Sequence, residues 1–293
     1  MSVELRHLRY FLAVAEELHF SRAAERLQIA QPALSQQIRK LEAEIGVELF
    51  HRTKRRVQLS AAGEAMLRPA RQTLDEAVAA VEAAQRAARG EIGHLTIGFI
   101  ETAATTIVPL AVRRFREDHP EVGLSLKELS VGTQVEGLRS GALDVGIVRP
   151  PIDAGGLELM SVTDEGLVVV APDAHPLAKR ARVGPRSLAG EPLVLLAREV
   201  VPGLYDQFIA LQREHGGAVV AQEATSIQAV LGLVAAGLGV SLLPASVRTL
   251  ARTGVDFTTL APSPRSSVLA AWRRSDRSPL TAAFLAAARA DID

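Results

Sequence analysis

Residues 21–46 read SRAAERLQIAQPALSQQIRKLEAEIG and predict a short helix, a tight turn and a longer helix. Ser21 is a favoured N-cap residue, and residues 28–30 are short enough to form the turn. The second helix is predicted to begin at Pro32, because a first-turn residue needs no N–H partner. Gly46 supplies a left-handed cap at the end of that helix. A helix-turn-helix therefore organises the first part of the chain.

The second of these helices has two different faces. Apolar residues recur at steps of four, three and four, which predicts one buried stripe of Leu34, Ile38, Leu41 and Ile45. The opposite face carries flexible hydrogen-bonding groups, none of them acidic: Gln31, Ser35, Gln36 and Arg39. With Pro32 they form a candidate surface for reading a DNA major groove. Two amphipathic helices packed in an ordinary helical domain would show the same pattern.

The next segment favours DNA binding. Residues 47–59, VELFHRTKRRVQL, place two apolar runs on either side of a basic tip, which comprises Arg52, Lys54, Arg55 and Arg56. This pattern predicts a β-hairpin wing that contacts the sugar-phosphate backbone.

The run LRHLRYFLAVAEELHFSRAAERLQIAQPALSQQIRKLEAEIGVELFHRTKRRVQLSAAGE, residues 5–64, resembles the winged helix-turn-helix of LysR-type transcriptional regulators without a gap. The rest of the chain has the length and order of elements of that family. The resemblance implies a regulator that binds double-stranded DNA and responds to a small-molecule effector. It also implies a homodimer or a tetramer of two dimers, and RNA polymerase as a further partner.

We expect an α/β protein with three parts: a winged helix-turn-helix domain at 1–60, a linker helix for dimerisation at 61–90, and an effector-binding domain at 91–293. After Ser60 as N-cap, the linker helix carries an a/d seam that needs a partner helix, with Leu67, Leu74 and Val81 as its larger residues. Pro69 predicts a kink or a helix boundary.

Strands and helices alternate from residue 91 onward, which predicts parallel sheets with helices on both faces. This half resembles the family's two-lobed effector domain, akin to periplasmic solute-binding proteins. We place lobe I at about 91–162 and 268–293 and lobe II at about 163–267, with crossings near Val162 and Ser267.

The cleft between two such lobes faces strand ends and helix starts, where anions bind well. The positions at which the family takes its ligand contacts correspond here to Thr102, Ser130, Thr133, Gly203, Thr225 and Ile227. The hydroxyl groups suit an organic or aromatic acid, although Ser and Thr before helices also act as caps. Glu101 does not suit an anion: it points away, pairs with a cation or indicates another class of effector.

Composition and motifs limit the alternatives. The chain of 293 residues contains 33 basic and 33 acidic residues and no cysteine, which excludes a thiol-based redox sensor. No catalytic, metal-binding or cofactor-binding motif occurs, so we expect no enzyme, metal or cofactor. A transport solute-binding protein is the competing hypothesis. The DNA-binding segment and the lack of a signal peptide or apolar membrane span argue against it and favour the cytoplasm.

Overall fold

The computed structural model describes residues 3–53, 56–217 and 219–289. The chain divides into two compact units, Met1–Arg86 and Ala87–Asp293. The first unit begins with the elements α1 (Leu5–Glu17), α2 (Phe20–Arg26), α3 (Gln31–Ile45), β1 (Phe50–Arg52) and β2 (Val57–Leu59), and continues into the long helix α4 (Ala61–Ala88).

The helix-turn-helix is formed by α2 and α3, and the predicted stripe packs into its core. Leu34, Ile38 and Leu41 are buried with residues of α1, and Ile45 packs partly buried against them. Gly46 ends α3 in the left-handed conformation with φ of 76°. Strands β1 and β2 form the predicted antiparallel hairpin.

The prediction that Ser21 caps the first of these helices is wrong. Helix α2 begins at Phe20, and the His19 ring is its cap. His19 Nδ1 accepts hydrogen bonds from the backbone N–H groups of Ser21 at 3.2 Å and Arg22 at 3.4 Å. An imidazole nitrogen can therefore take the place of a hydroxyl at an N-cap. Similarly, α3 begins at Gln31, one residue before Pro32.

Helix α4 runs through Pro69 without interruption, so a helix boundary at that residue is excluded. Pro69 and Ala65 are both exposed, so water can solvate the Ala65 carbonyl that lacks its usual i+4 partner. At the start of the helix, Ser60 is the predicted cap, because its Oγ accepts the Gly63 N–H at 3.0 Å.

The second unit contains β3 (Gly93–Phe99), α5 (Ile107–Asp118), β4 (Val122–Glu128), α6 (Val131–Ser140), β5 (Val145–Val148), β6 (Leu157–Glu165), β7 (Leu167–Pro172), β8 (Arg182–Val183), β9 (Pro192–Leu196), α7 (Pro202–His215), β10 (Val219–Ala224), α8 (Ile227–Ala235), β11 (Ser241–Pro244), β12 (Val255–Leu260), β13 (Ser266–Arg273) and α9 (Pro279–Arg289). Short 3-10 turns cover Glu101–Ala103, Pro185–Leu188 and Ala245–Leu250.

These strands build two lobes. In lobe I the sheet order is β4-β3-β5-β13-β6, packed with α5, α6 and α9. Lobe II contains a sheet of order β11-β7-β12-β8 and the parallel pair β10-β9, which a parallel bridge between Leu193 and Val240 joins to the start of β11.

The predicted parallel pairing is present in β3-β4, β3-β5 and β9-β10, but both lobes are mixed and the prediction is wrong for the remaining pairs described next. In lobe I, β13 returns from the other lobe and runs antiparallel to β5 and β6. In lobe II, β7 pairs antiparallel with both β11 and β12. The first crossing also lies later than Val162, since β6 pairs with β13 as far as Glu165. The return lies between β12 and β13, just before the predicted Ser267.

Candidate DNA-binding surface and effector cleft

The outer face of α3 presents the side chains that the sequence assigns to DNA reading. Gln31, Pro32, Gln36 and Arg39 are exposed, and Ser35 is partly exposed. Arg39 Nε donates to the Ser35 carbonyl one turn earlier at 3.3 Å, which holds its guanidinium against its own helix. This face can therefore offer amide and guanidinium donors to base edges without disturbing the buried stripe.

The tip of the wing is closed by the backbone around Thr53 and Arg56. The Thr53 N–H donates to the Arg56 carbonyl at 2.9 Å, and the Arg56 N–H donates to Thr53 Oγ1 at 3.1 Å. The Arg56 side chain is exposed and forms no ion pair with any other described residue. Lys54 and Arg55, also predicted to contact DNA, lie outside the described residues.

Arg52 is placed differently from the rest of the predicted basic tip. It lies in β1, where its guanidinium pairs with Glu42 of α3 and sits 5.0 Å from the centre of the Phe20 ring. Its side chain is only 28% exposed. Glu42 also accepts the Leu49 N–H at 2.9 Å. Arg52 therefore joins the wing to the helix-turn-helix, and this geometry gives it a structural role that the sequence analysis did not foresee.

In the second unit, the two lobes enclose a cavity of about 200 Å³. Three of the predicted effector-binding residues line it, namely Thr102, Ser130 and Thr225. The lining also includes apolar residues and three carboxylates that the sequence analysis either missed or could not place: Ile100, Leu129, Leu196, Val200, Val201, Glu101, Glu128 and Glu199.

The Thr102 hydroxyl already has a partner. Thr102 is buried, and its Oγ1 accepts a hydrogen bond from Arg149 Nη2 at 3.4 Å. The same guanidinium pairs with Glu165 at 3.2 Å and donates to Ser266. Burial lowers the pKa of Arg149, and the Glu165 carboxylate opposes this shift. Thr102 Oγ1 is thus an acceptor for Arg149, and its role as an O–H donor to a ligand stays a prediction.

The other three predicted effector contacts, Thr133, Gly203 and Ile227, lie near the cavity and do not line it. Ser130 is the N-cap of α6, and Thr133 Oγ1 lies 3.0 Å from Ser130 Oγ. Gly203 packs against lobe I, where an added Cβ would lie 2.2 Å from the Pro150 carbonyl oxygen. Glycine is therefore needed at position 203 to let α7 approach the other lobe.

Glu101 of lobe I reaches across the cleft to α8 of lobe II. The Ile227 N–H lies 2.9 Å from Glu101 Oε1 and 3.0 Å from Oε2. Burial is the main cause that raises the pKa of Glu101, while the Ile227 N–H lowers it and the nearby Glu128 charge raises it. The N–H of Ile227, predicted to contact the effector, is thus bound to a side chain of the protein itself.

Glu128 and Glu199, which the sequence analysis did not name, lie at or just after the ends of strands. Glu128 ends β4, and Glu199 follows β9 by a few residues. Ligands of open α/β sheets bind beyond the carboxyl ends of strands, so both positions belonged among the candidates. An acidic effector, as expected from the sequence, gives no reason to select a carboxylate at these positions.

Across the described ranges, no group of three or more His, Cys, Asp or Glu residues is arranged to hold a metal ion. Within the same ranges, each helix is too short or too polar to cross a lipid bilayer.

A winged helix-turn-helix in one chain with a two-lobed α/β unit that encloses a small cavity defines a class of ligand-responsive DNA-binding regulators. Two family models agree: "Bacterial regulatory helix-turn-helix protein, lysR family" matches residues 5–64, and "LysR substrate binding domain" matches residues 88–293. The chain belongs to the LysR family of DNA-binding transcriptional regulators.

Individual relatives support this assignment over the full length. The chain is 40% identical to the HTH-type transcriptional regulator AlsR of Bacillus subtilis, over 97% of this chain and 94% of AlsR. It is 37% identical to HcaR of Escherichia coli, the Hca operon transcriptional activator, over 97% of this chain and 96% of HcaR. The crystal structure of full-length CbnR complexed with its target DNA has a TM-score of 0.86 and 29% identity, covering 98% of this chain and 99% of CbnR.

Proposed function

We propose that this regulator recognises its operator through the outer face of α3 and the tip of the wing, and that a small molecule in the cleft between the lobes changes that binding. Operator recognition by α3 is supported by three exposed side chains beside a buried apolar stripe: Gln31, Gln36 and Arg39. Effector binding between the lobes is supported by the cavity found there. The organic or aromatic acid expected from the sequence stays a prediction, and the three carboxylates of the cavity favour a different class of ligand.

The regulator acts as a homodimer or a larger homo-oligomer in this proposal, and double-stranded DNA is its partner. The CbnR complex with target DNA supports DNA as the partner. Its work on DNA favours the cytoplasm as its location and requires no catalytic activity.

The dimer contact is proposed to involve the C-terminal part of α4. Val78 and Val81 are 59% and 58% exposed there, which is unusual for two valines on adjacent turns of one helix. Leu67 and Leu74, by contrast, pack against the core of their own DNA-binding unit. Val81 is therefore the best candidate among the three predicted seam residues.

The test of DNA reading is the Arg39→Ala variant. A bidentate contact from arginine to a base contributes about 1 to 3 kcal/mol of discrimination. We expect Arg39→Ala to reduce the preference for operator over random DNA by this amount, measured by fluorescence anisotropy on both duplexes after footprinting has located the operator upstream of the gene.

The matched control is Lys40→Ala, which removes a neighbouring exposed cation that lies 3.9 Å from Glu44 on the same helix. Lys40→Ala should leave the preference for operator unchanged. Equal losses on operator and random DNA in the Arg39→Ala variant would exclude base reading by Arg39.

A further inference from the structure

The N-terminus of α8 faces the cleft, and its hydrogen-bond donors are already used. The first N–H groups of a helix have no intrahelical partner and form a natural site for a carboxylate. Here Glu101 accepts the Ile227 N–H, at 2.9 Å from Oε1 and 3.0 Å from Oε2. Ser226 accepts two further N–H groups of α8. Its Oγ accepts the Ala229 N–H at 3.2 Å, and its carbonyl oxygen accepts the Val230 N–H at 3.1 Å. Acceptors of the protein itself thus already bind the N–H groups of Ile227, Ala229 and Val230 at this helix start.

The remaining charge of the cavity is also negative. Glu128 and Glu199 line it, are exposed, and have no ion-pair partner among the residues that the structure describes. No lysine, arginine or histidine occurs among the described lining residues. An acidic ligand would have to displace Glu101 from α8 and then lie beside further carboxylates, so like charges would oppose its binding.

An amine meets the opposite conditions. A protonated amine brings N–H donors and a positive charge to Glu128 and Glu199, which have no ion pair within the described part of the chain. Its apolar body would contact Ile100, Leu129 and Leu196, which line the same cavity. The volume of about 200 Å³ suits a molecule with one ring or a short alkyl chain.

We propose that Glu101 is a specificity-determining residue of the effector cleft: it acts as a built-in carboxylate at the start of α8, and the cleft consequently selects a ligand with a protonated amine over a carboxylic acid. The assignment rests on the proposed function, because it requires the effector to bind in this cleft.

The experiment is calorimetric titration of the full-length protein with benzylamine and benzoate, which share one ring and differ in charge near neutral pH. The wild type should bind benzylamine about tenfold more tightly than benzoate, or better. Glu101→Ser should leave the Ile227 N–H open to a ligand and raise the affinity for benzoate by about tenfold. Glu101→Gln can still accept the Ile227 N–H without a charge, so it should weaken the preference for benzylamine and bind benzoate less well than Glu101→Ser.

Glu214→Gln is the control for a change in overall charge, since Glu214 is exposed on α7 and does not line the cavity. Three results would overturn the assignment: wild-type protein that binds benzoate as tightly as benzylamine, a Glu101→Ser variant with no more affinity for benzoate than Glu214→Gln, or no binding of either probe. Operator binding by the wild type is measured in parallel. Failure there refutes the proposed function, whereas normal operator binding without a charge preference refutes only the role of Glu101.

Discussion

Thr102 is chosen from the sequence as a ligand contact, but its partner is Arg149, a buried cation of lobe I. Arg149 Nε has no hydrogen-bond partner among the described residues, so the guanidinium depends on the contacts that remain. We expect Thr102→Val to reduce the free energy of unfolding by about 0.5 to 1.5 kcal/mol, because Arg149 Nη2 keeps Glu165 but loses its second acceptor while the side-chain volume is kept. Urea denaturation followed by circular dichroism measures this change.

Thr133→Val is the matched control for Thr102. Thr133 is exposed, and its hydroxyl contacts the Ser130 hydroxyl, which water can replace. Thr133→Val should therefore change stability by less than about 0.5 kcal/mol. Equal stability of the Thr102 and Thr133 variants would show that the hydrogen bond to Arg149 contributes nothing.

The site could be predicted from the sequence only as far as local signals extend. Thr102, Ser130 and Thr225 follow strands, and the strand-end rule places all three at the cavity. Arg149 lies 47 residues from Thr102 along the chain, and Ile227 lies 126 residues from Glu101. Such pairings depend on how the lobes close on each other, which no local pattern encodes.

At the scale of elements, the wing gives different roles to Arg52 and Arg56, which the sequence assigns to the same basic tip. Arg56→Ala should reduce the slope of log affinity against log salt concentration by ~1 and leave the ratio of operator to random binding nearly unchanged, because phosphate contacts are independent of sequence. Arg52→Ala should instead destabilise the DNA-binding unit by about 1.5 to 3 kcal/mol, since Glu42 loses a charged partner. Salt titrations of DNA binding and thermal unfolding measure the two effects.

Glu42→Gln provides a cross-check on the wing. This variant weakens the ion pair with Arg52 by removing the Glu42 charge. It should lower the stability of the DNA-binding unit and leave the charge at the wing tip unchanged. An Arg52→Ala variant with full stability and a reduced salt slope would reverse the roles assigned to these arginines.

Helix α4 separates into a part that packs on its own unit and a part that is exposed. Val81→Glu should weaken the dimer and leave the DNA-binding unit folded, because a charge buried between two copies would have no partner. Leu74→Glu should lower stability as well, since Leu74 packs against the core of its own unit. Sedimentation velocity over a range of concentrations, combined with thermal unfolding, distinguishes the two variants.

Glu82→Ala is a suitable control, since it changes an exposed charged neighbour on the same helix. A Val81→Glu protein that sediments as the wild type would show that the exposed valines are not a dimer contact.

At the level of the whole molecule, the order of helices and strands could be predicted closely, because periodicity and capping residues are local. Strand direction could not, since β13 becomes antiparallel only by returning from lobe II into the middle of the lobe I sheet. The two-residue strand β8 and the strand β12 also escaped the prediction. β12 reads VDFTTL, in which the adjacent Thr258 and Thr259 interrupt the alternation of apolar and polar residues.

The contact between Glu101 and α8 joins the two lobes, so its protonation should affect the stability of the second unit as a whole. The pKa of Glu101 is raised above 4.5, first by burial, and the native state therefore holds this proton more tightly than the unfolded chain.

The protonated Glu101 side chain contributes its full share to the stability of the folded state below pH 4.5. That stabilisation is lost as pH rises through the native pKa of Glu101. Glutamine cannot ionise, so the stability of wild type relative to Glu101→Gln should fall as pH rises above 4.5. Urea denaturation of both proteins at each pH measures this difference, and Glu128→Gln should reduce the effect, because the Glu128 charge contributes to the raised pKa. A difference that stays constant with pH would show that burial and the α8 hydrogen bond cancel, and one that grows in favour of the wild type would show that α8 stabilises the ionised carboxylate more than burial opposes it.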